Sequence, residues 1–375
     1  MSKLRIGVLG GGQLGRMMAL AGYPLDLAFS FFEAAPDCPS AGLGPVFGDA
    51  QNSEASLDAF IDSADVFTYE FENIPVAWVE RIAARKPLFP GVKSLAVSQN
   101  RLNEKQLFAR LNIPSARFAD IRSEADLHAA VATLGLPLVV KTVTMGYDGK
   151  GQFLLKEETQ VSACWAQLGA QAPLIAEEFI HFKRELSIIA VRGQDGRMAC
   201  YPLTENVHHR GILSHSVAPA PFVDDDIQLT AERYISAIAQ DLGHVGALTL
   251  EMFETRHGLM ANETAPRVHN SGHWTIEGAH CSQFENHVRA VAGLPLGSTT
   301  CPQPTAMVNI IGEHPAKADI LAERDAHLHF YGKGEREGRK LGHITLRAPS
   351  HHELQARLQK IAMLLPNPMS LPIER

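Results

Sequence analysis

The sequence has 375 residues, of which 45% are hydrophobic and 20% are charged, and its formal net charge is −7 at pH 7. This composition is that of an ordinary globular protein, and the length is enough for two or three packed domains. The acidic balance argues against a nucleic-acid-binding protein, and no apolar run approaches the roughly 20 residues that a membrane helix requires.

The first hundred residues alternate between strand and helix signals. Strands are predicted over 4–10, 25–33 and 65–72, and helices over 13–23, 53–64 and 75–86. This alternation predicts a parallel sheet with helices on its faces. The amino terminus leads directly into the first strand, so we expect no signal peptide. The five cysteines are widely spaced and include no C-x-x-C pair, which indicates reduced thiols and a cytoplasmic protein.

A glycine-rich loop lies between the first strand and the first helix. Gly10, Gly12 and Gly15 fit the pattern G-x-G-x-x-G, and Glu33 ends the second strand, where a carboxylate could bind a ribose. This arrangement is typical of NAD or FAD binding. The same turn can also serve another anion or only tight packing, because helix amides attract any anion and glycines permit any close approach.

Short strands dominate the middle of the chain, which predicts an α+β domain on an antiparallel sheet. The predicted strands cover 136–143, 151–156, 173–180, 184–193 and 197–209, the helices 100–112, 123–134 and 226–243, and a hairpin 246–265. A third, small unit follows from about residue 300, with strands over 326–332 and 342–349 and a helix over 350–364.

A second glycine-rich segment has a stronger functional signal. Lys141 ends an apolar strand, and Gly146, Gly149 and Gly151 surround Lys150 before the next strand begins. Such a segment is typical of a mobile flap whose free amides and lysine fold over anionic oxygens, with Lys141 reaching phosphates from below. The alternative is a plain surface hairpin with a lysine nearby.

The hairpin 246–265 predicts a cation site. If the turn lies at 256–258, Glu251 and Glu263 are each six residues from His257 and face each other, with Cβ atoms roughly 5 Å apart. Two half-buried carboxylates repel unless a cation joins them, and with Asn262 adjacent they favour a hard cation such as Mg²⁺ that bridges phosphates. The alternative is two solvated glutamates on an outer face.

Three polar segments complete the candidate site. The loop 264–274 is dense in hydrogen-bond donors and suits a polar or phosphorylated ligand; zinc binding by His269 and His273 lacks a third ligand. Glu70 and Glu72 follow a strand at the edge where open α/β sheets bind ligands. A basic cluster suits a phosphate or is a solvated turn, and it consists of Arg336, Arg339, Lys340 and Arg347.

Five segments together resemble a known family. GGGQLGRM, YEFEN, GYDGKGQ, NETAPRVHNSGHW and GRKLGHI occur in this order between residues 10 and 344. They are similar to signatures of the ATP-grasp carboxylate–amine ligases and, within them, of the N5-carboxyaminoimidazole ribonucleotide synthetase family. The resemblance implies a multidomain α/β and α+β protein: a Rossmann-like pre-ATP-grasp domain (1–100), an ATP-grasp domain (101–298) with a mobile lid (about 115–180), and a small β-rich C-terminal domain (299–375).

The resemblance also implies site residues. Lys141, Asp148, Lys150 and Arg267 would be catalytic, and Glu251 and Glu263 would bind Mg²⁺. ATP would be bound by Arg101, Lys141, the flap residues Gly146, Tyr147, Asp148, Gly149, Lys150, Gly151 and Gln152, the hinge Glu177, Glu178, Phe179 and Ile180, and by Glu185, His208, Asn262 and Glu263. The ribonucleotide would be bound by Glu72, Tyr147, Asp148, Lys150, Arg267, His269, Asn270 and Ser271, with Lys340 and Arg347 on its phosphate.

The implied reaction consumes ATP and bicarbonate. Carboxyphosphate would form, and the exocyclic amine of aminoimidazole ribonucleotide would capture CO₂ or carboxyphosphate itself in a closed site. We expect a cytoplasmic homodimer that binds neither nucleic acid nor membranes. Three alternatives remain from the residues: a related formyl-transferring ATP-grasp ligase, an NAD-dependent oxidoreductase, and a non-catalytic nucleotide-binding protein. Gln13 is expected to be the loop side chain nearest the ribonucleotide.

Overall fold

The N-terminal part is a parallel sheet covered by helices, as the sequence predicts. The computed structural model describes residues 3–49, 51, 53–146 and 151–366. The strands follow the order β3-β2-β1-β4. The elements are β1 (Arg5–Leu9), α1 (Gln13–Gly22), β2 (Ala28–Phe32), β3 (Val46–Phe47), α2 (Glu54–Asp62), β4 (Val66–Tyr69), α3 (Val76–Ala83) and α4 (Val92–Ser98). The chain order reverses between β1 and β4, and such a reversal opens a crevice at the carboxyl ends of the strands.

A small antiparallel sheet follows, in the order β5-β8-β6-β7. Its apolar side chains pack with those of two helices into a separate core. The elements are α5 (Arg101–Arg110), β5 (Phe118–Ile121), α6 (Glu124–Leu134), β6 (Leu138–Thr142), β7 (Gln152–Leu155), α7 (Val161–Leu168) and β8 (Leu174–Glu178). Helix α6 begins at a capping box between Ser123 and Asp126, which satisfies amides at the helix start.

One large antiparallel sheet occupies the rest of the molecule, in the order β14-β13-β9-β11-β12-β15-β17-β16, with β10 paired to β9. The elements are β9 (Arg184–Arg192), β10 (Met198–Cys200), β11 (Thr204–His209), β12 (Ile212–Ala218), α8 (Asp225–Leu242), β13 (Gly246–Thr255), β14 (Gly258–Ala265), α9 (Thr275–Gly278), α10 (Gln283–Val291), β15 (Thr305–Ile311), α11 (Lys317–Ala322), β16 (Ala326–Phe330), β17 (Lys340–Arg347) and α12 (His351–Leu364). The predicted strand 197–209 is two strands, and β12 and β15 are additional.

Two buried histidines join the parallel sheet to the large sheet. His287 on α10 accepts the amide of Ala247 on β13, and its other nitrogen lies 2.9 Å from the Thr68 hydroxyl on β4. His244 bridges the Ser94 hydroxyl on α4 and the carbonyl of Ala247. These bonds fix the walls of the crevice between the two sheets. Within the described ranges, no helix is both long and apolar enough to cross a membrane.

Candidate active site

A cleft of about 1190 Å³ lies where the three parts of the molecule meet. The carboxyl end of β4, strands β6, β13 and β14, the loop after β14 and the segment before β17 all contribute to its walls. Most of the candidate residues inferred from the sequence lie here. Small-molecule sites are concave, contain a few precisely placed polar groups and often lie where domains meet, as this cleft does.

Glu251 and Glu263 face each other across β13 and β14, as predicted. The reason differs from the expected symmetry about His257, because Thr255 pairs with Gly258 and the turn therefore contains only two residues. That turn alone would place Glu251 opposite Asn262. Met252 still pairs with Ala261, but a bulge then shifts the register so that Glu251 pairs with Glu263 and Asn262 is the extra residue.

The two carboxylates have opposite electrostatic environments. Burial opposes ionisation of Glu251, but His269, whose Nε2 lies 3.1 Å from Glu251 Oε1, lowers its pKa. The Glu263 side chain is open to the cleft, yet the enclosing walls desolvate it and Glu251 repels its charge, so the pKa of Glu263 is raised. A cation between them would relieve this repulsion.

These residues fit a hard divalent cation. The donor set of Glu251, Glu263 and Asn262 consists of oxygen ligands, which Mg²⁺ prefers, and all three line the cleft. The described residues contain no group of three or more histidine, cysteine, aspartate or glutamate side chains arranged as a metal site. A cation held here would therefore need further oxygen ligands, such as those of a nucleotide phosphate.

The predicted phosphate lysine belongs to a buried ion network. Lys141 on β6 donates to Glu177 Oε1 at 3.1 Å, and Lys105 on α5 lies 3.1 Å from Glu177 Oε2. Burial opposes the charge of Glu177, but the two lysines outweigh it and lower its pKa. Arg101, expected on phosphates, lines the cleft and donates to the carbonyls of Thr142 and Gly146 at 2.9 and 2.8 Å. It thereby anchors the base of the predicted flap.

The predicted flap is only partly described. Gly146 and Gln152 line the cleft, and Gly151 adopts a left-handed φ of +70°, which favours glycine. The predicted residues Tyr147, Asp148, Gly149 and Lys150 lie outside the described residues.

The side chains of the predicted hinge, residues 177–180, differ in where they lie: one is buried and the others reach the protein surface. Glu177 is buried, whereas Glu178 forms an ion pair with Arg117 at 2.7 Å. Phe179 and Ile180 do not line the cleft through their side chains; the Phe179 amide donates to the Pro137 carbonyl. Their expected contribution through backbone groups stays a prediction.

The part of the cleft beside β9 and β11 also has an ion pair and an aromatic pair. Glu185 Oε2 lies 3.0 Å from His208 Nδ1. Burial opposes the positive charge of His208, but Glu185 raises its pKa. Phe182 stacks on Phe253 with ring centroids 4.6 Å apart, and both rings line the cleft. The sequence analysis missed this pair, although Phe253 lies two residues from Glu251 and therefore on the same face of β13.

Arg267 and Glu72 form a two-point ion pair inside the cleft. The guanidinium Nη2 donates to Glu72 Oε1 at 3.0 Å and Nε donates to Oε2 at 2.5 Å. Burial opposes ionisation of Glu72, but Arg267 lowers its pKa. The sequence assigns both residues to small-molecule binding, and the structure shows that each orients the other.

The polar loop after β14 continues this network into the sheet. His269 Nδ1 lies 2.9 Å from the Ser271 hydroxyl, which accepts from Ser187 at 2.9 Å. Asn270 exchanges two hydrogen bonds with Asn309 on β15. His269, Asn270 and Ser271 all line the cleft. His273 is buried away from the cleft, and its ring lies 4.9 Å from that of His343, so the two loop histidines do not converge as a metal pair.

The opening glycine loop binds an internal carboxylate. The amides of Gly12 and Gly15 donate to Glu70, at 2.6 Å for Gly15. A Cβ atom at Gly12 would lie 2.5 Å from Glu70 Oε1, so a larger residue there would displace this carboxylate from the amides. Glu70 therefore occupies the anion position at the α1 N-terminus, and the phosphate site expected for NAD is already filled. Gln13 lines the cleft and accepts a hydrogen bond from Lys333.

The basic cluster is divided between two cavities. Arg336, Arg339 and Lys340 line the main cleft together with Lys333, which the sequence analysis missed. Arg347 lines a second cavity with Arg324 and Arg357. Lys340 and Arg347 lie at opposite ends of β17, a strand of 8 residues, and the structure does not bring these two predicted phosphate ligands into the same cavity. Their shared role on the substrate phosphate stays a prediction.

Comparison with family models divides the chain among three descriptions. Residues 1–99 match the ribonucleotide synthetase pre-ATP-grasp domain, residues 106–284 match the ATP-grasp domain, and residues 305–357 match the phosphoribosylaminoimidazole carboxylase C-terminal domain. The three matches follow one another in the order in which the structure arranges the parallel sheet, the central region and the last strands.

Proteins that are similar in sequence or in structure match the chain over nearly its full length. An N5-carboxyaminoimidazole ribonucleotide synthase from Pseudomonas aeruginosa is 48% identical over 96% of this chain and 99% of its own. The Thermus thermophilus synthetase structure has a TM-score of 0.93, 46% identity and coverage of 98% and 100%. An Aspergillus clavatus synthase in complex with ADP and 5-aminoimidazole ribonucleotide has a TM-score of 0.88, 31% identity and coverage of 96% and 98%. The chain belongs to the N5-carboxyaminoimidazole ribonucleotide synthase family of ATP-grasp enzymes.

Proposed function

We infer that this chain is an ATP-dependent carbon–nitrogen ligase of purine biosynthesis. It carboxylates 5-aminoimidazole ribonucleotide to N5-carboxyaminoimidazole ribonucleotide and consumes ATP and bicarbonate. The observation that carries this inference is the single cleft that contains the facing pair Glu251 and Glu263, the phosphate lysine Lys141 and the polar loop 266–271. Carboxylates and cations gathered in this way suit phosphoryl transfer, in which positioning and charge neutralisation do most of the work.

The nucleotide end of the cleft lies between the small sheet and the large sheet. We propose that Phe182 and Phe253 pack beside the adenine, that Glu185 and His208 bind the ribose side, and that Lys141 and Arg101 bind phosphates. Glu251, Glu263 and Asn262 would hold Mg²⁺, which would supply charge neutralisation on the phosphate oxygens. Lys141 is already oriented by Glu177, so little reorganisation is needed when phosphate arrives.

The ribonucleotide end lies between the parallel sheet and the segment before β17. We propose that Lys333, Arg336, Arg339 and Lys340 supply the positive field for the substrate phosphate, and that Glu72 and the loop 266–271 contact the ribose and imidazole. An oxygen of bicarbonate attacks the γ-phosphorus of ATP, and ADP leaves. Arg267 would hold the resulting carboxyphosphate, whose carboxyl carbon forms a bond to the exocyclic amine as phosphate departs and the amine loses a proton.

Water must be kept from the activated carboxyl group during this sequence. We propose that the segment 146–152 covers the cleft. Both ends of the segment support this role: Arg101 holds the Gly146 carbonyl, and Gly151 has a left-handed φ of +70°. Asp148 and Lys150 remain proposed catalytic residues, and Tyr147 a proposed substrate contact. We also propose that the three functional units span 1–100, 101–298 and 299–375, and that the enzyme is a cytoplasmic homodimer.

Isotope transfer tests the reaction. The protein is incubated with ATP, MgCl₂, 5-aminoimidazole ribonucleotide and ¹³C-bicarbonate, and the product is followed by ¹³C NMR. We expect a carbamate resonance that appears only when all four components are present, with one ADP per labelled product. ADP formation without label in the ribonucleotide would contradict carboxylation.

A further inference from the structure

Two consecutive residues of α5 clamp the strand that contains Glu263. Lys105 Nζ donates to the Asn262 carbonyl at 2.9 Å. Glu104 Oε1 accepts from both the amide and the hydroxyl of Thr264, each at 2.6 Å. Glu104 and Lys105 are 2% and 1% exposed. The side chain of Glu263 therefore lies between two backbone positions that α5 holds from outside.

The clamp satisfies backbone groups that the sheet leaves open. Among the described residues, β14 is the last strand at one side of the large sheet, and its outer edge has an isolated bridge between Ala261 and Ser115 in place of a neighbouring strand. Besides the two α5 side chains, the carbonyl of Pro114 accepts the amide of Ala261 at 2.7 Å. The outer edge is thus closed along the bulged segment 261–264. Because a bulge weakens local pairing, this segment depends on contacts from outside the sheet.

Lys105 also connects this strand to the phosphate lysine. Its ammonium group lies 3.1 Å from Glu177 Oε2, and the other oxygen of Glu177 accepts from Lys141. One carboxylate is therefore shared by two lysines, one structural and one facing the cleft. Without Lys105, Glu177 would pair with Lys141 alone and hold it more tightly, away from an incoming phosphate.

We propose that Glu104 and Lys105 are positioning residues that set the distance between Glu263 on the large sheet and Lys141 on the small sheet. This inference rests on the function proposed above. Lys105 joins the two walls of the cleft, because it contacts the Asn262 carbonyl on one wall and Glu177 on the other. Glu104 holds Thr264, the residue that follows Glu263. Neither side chain needs to touch a substrate for this effect.

The test compares Lys105→Met with Lys105→Arg. Met keeps the length and removes the charge, whereas Arg keeps the charge. For Lys105→Met we expect at least about a tenfold rise in the Mg²⁺ concentration for half-maximal activity, at least about a tenfold fall in kcat, and an unchanged KM for the ribonucleotide. Lys105→Arg should recover most of both losses. The exposed Lys156→Met is the matched control.

Binding measured without turnover separates this proposal from the proposed function. Calorimetric titration of MgADP should show about tenfold weaker binding to Lys105→Met than to the wild type. This expectation holds whether or not the wild-type protein carboxylates 5-aminoimidazole ribonucleotide. If Lys105→Met does not fold, Glu104→Leu and Glu104→Gln replace it. Leu should weaken MgADP binding, and Gln, which keeps an acceptor for Thr264, should not. A lower melting temperature with unchanged Mg²⁺ dependence and MgADP affinity would overturn the proposal.

Discussion

At the scale of single residues, the two facing carboxylates of the cleft have different electrostatic surroundings. His269 stabilises the charge of Glu251, whereas Glu263 has the charge of Glu251 as its neighbour and a raised pKa. The same logic governs Glu72, which Arg267 keeps ionised. The surroundings thus give the carboxylates different partners: Glu72 pairs with a guanidinium, and Glu263 is left for the cation proposed above.

Replacing Glu263 by Gln should abolish activity without destabilising the fold. We expect ADP formation to fall by about 100-fold or more, because a cation ligand is lost. The free energy of unfolding should be unchanged or up to about 1 kcal/mol higher, because one of two facing like charges is removed. Steady-state assays and urea titrations measure the two effects. Glu232→Gln on α8 is the control, and retained turnover in Glu263→Gln would refute the cation assignment.

Replacing Arg267 by Lys should keep the charge and lose the two-point geometry. Charged hydrogen bonds contribute about 1.5–3 kcal/mol each, so turnover should fall by about tenfold to 100-fold. Affinity for ADP should stay within about twofold, since Arg267 pairs with Glu72 at the other end of the cleft. The measurements are kcat, the KM for bicarbonate, and ADP binding by calorimetry. Wild-type kinetics in Arg267→Lys would show that the guanidinium geometry is dispensable.

Residue patterns predicted much of this site and missed its long-range partners. The opposition of Glu251 and Glu263 follows from a short hairpin, which sequence spacing describes. Lys105 contacts Glu177, which is 72 residues further along the chain, and Lys333 contacts Gln13 across 320 residues, so no local pattern indicates either lysine. Glu70 was noted at the strand end, but only the folded chain shows that its carboxylate fills the glycine loop.

At the scale of elements, the bulge in β14 decides where the proposed metal-binding side chains lie. A turn centred on His257 and a two-residue turn followed by a bulge give the same opposition of Glu251 and Glu263. Strand β12 was missed because Ser214, His215 and Ser216 are buried polar residues without apolar alternation, and tertiary hydrogen bonds such as Ser216 to Asn206 satisfy part of them. Strand β15 is buried on both faces and shows no period of two.

The junction between β4 and β13 should make stability depend on pH. Burial lowers the pKa of His287 to about 3, below its ordinary value of 6.5. The unfolded chain therefore binds a proton at His287 more readily than the folded chain does. The contribution of neutral His287 to the free energy of unfolding is thus fully present above pH 6.5 and is lost as pH falls towards 3. Between pH 7 and pH 5 we expect a loss of about 2 kcal/mol from His287.

The variant His287→Gln isolates this contribution. It should be less stable than the wild type at pH 7, and the stability difference between the two proteins should shrink by about 2 kcal/mol at pH 5. Guanidinium titrations at both pH values provide the comparison, and exposed His352→Gln on α12 is the control. A stability difference that is the same at both pH values would show that His287 is not the titrating group.

At the scale of the whole molecule, the C-terminal strands are not a separate layer. Strand β15 pairs with β12 and with β17, so the large sheet continues from the ATP-grasp region into the last part of the chain. The last strands and α12 share a core that includes Val217 of β12. The segment before β17 also supplies the basic wall of the cleft. Folding and the ribonucleotide end of the site therefore depend on the same strands.

A chain that ends at residue 303 should not fold as a soluble protein. Removal of β15–β17 leaves β12, a mostly buried strand in the full chain, as an exposed edge of the sheet. It also uncovers the core around Val217, and both changes favour aggregation. Soluble yield and the urea unfolding transition measure the effect. A soluble fragment with the midpoint of the full chain would show that the two parts of the sheet are independent.

The central claim is that one cleft couples ATP cleavage to carboxylation of 5-aminoimidazole ribonucleotide. The most direct measurement is a coupled assay of ADP formation with purified protein, with and without bicarbonate, and with 5-aminoimidazole ribonucleotide or with glycinamide ribonucleotide and formate. We predict that ADP forms rapidly only with ATP, Mg²⁺, bicarbonate and 5-aminoimidazole ribonucleotide together. Equal turnover with glycinamide ribonucleotide and formate, or turnover that ignores bicarbonate, would contradict this account.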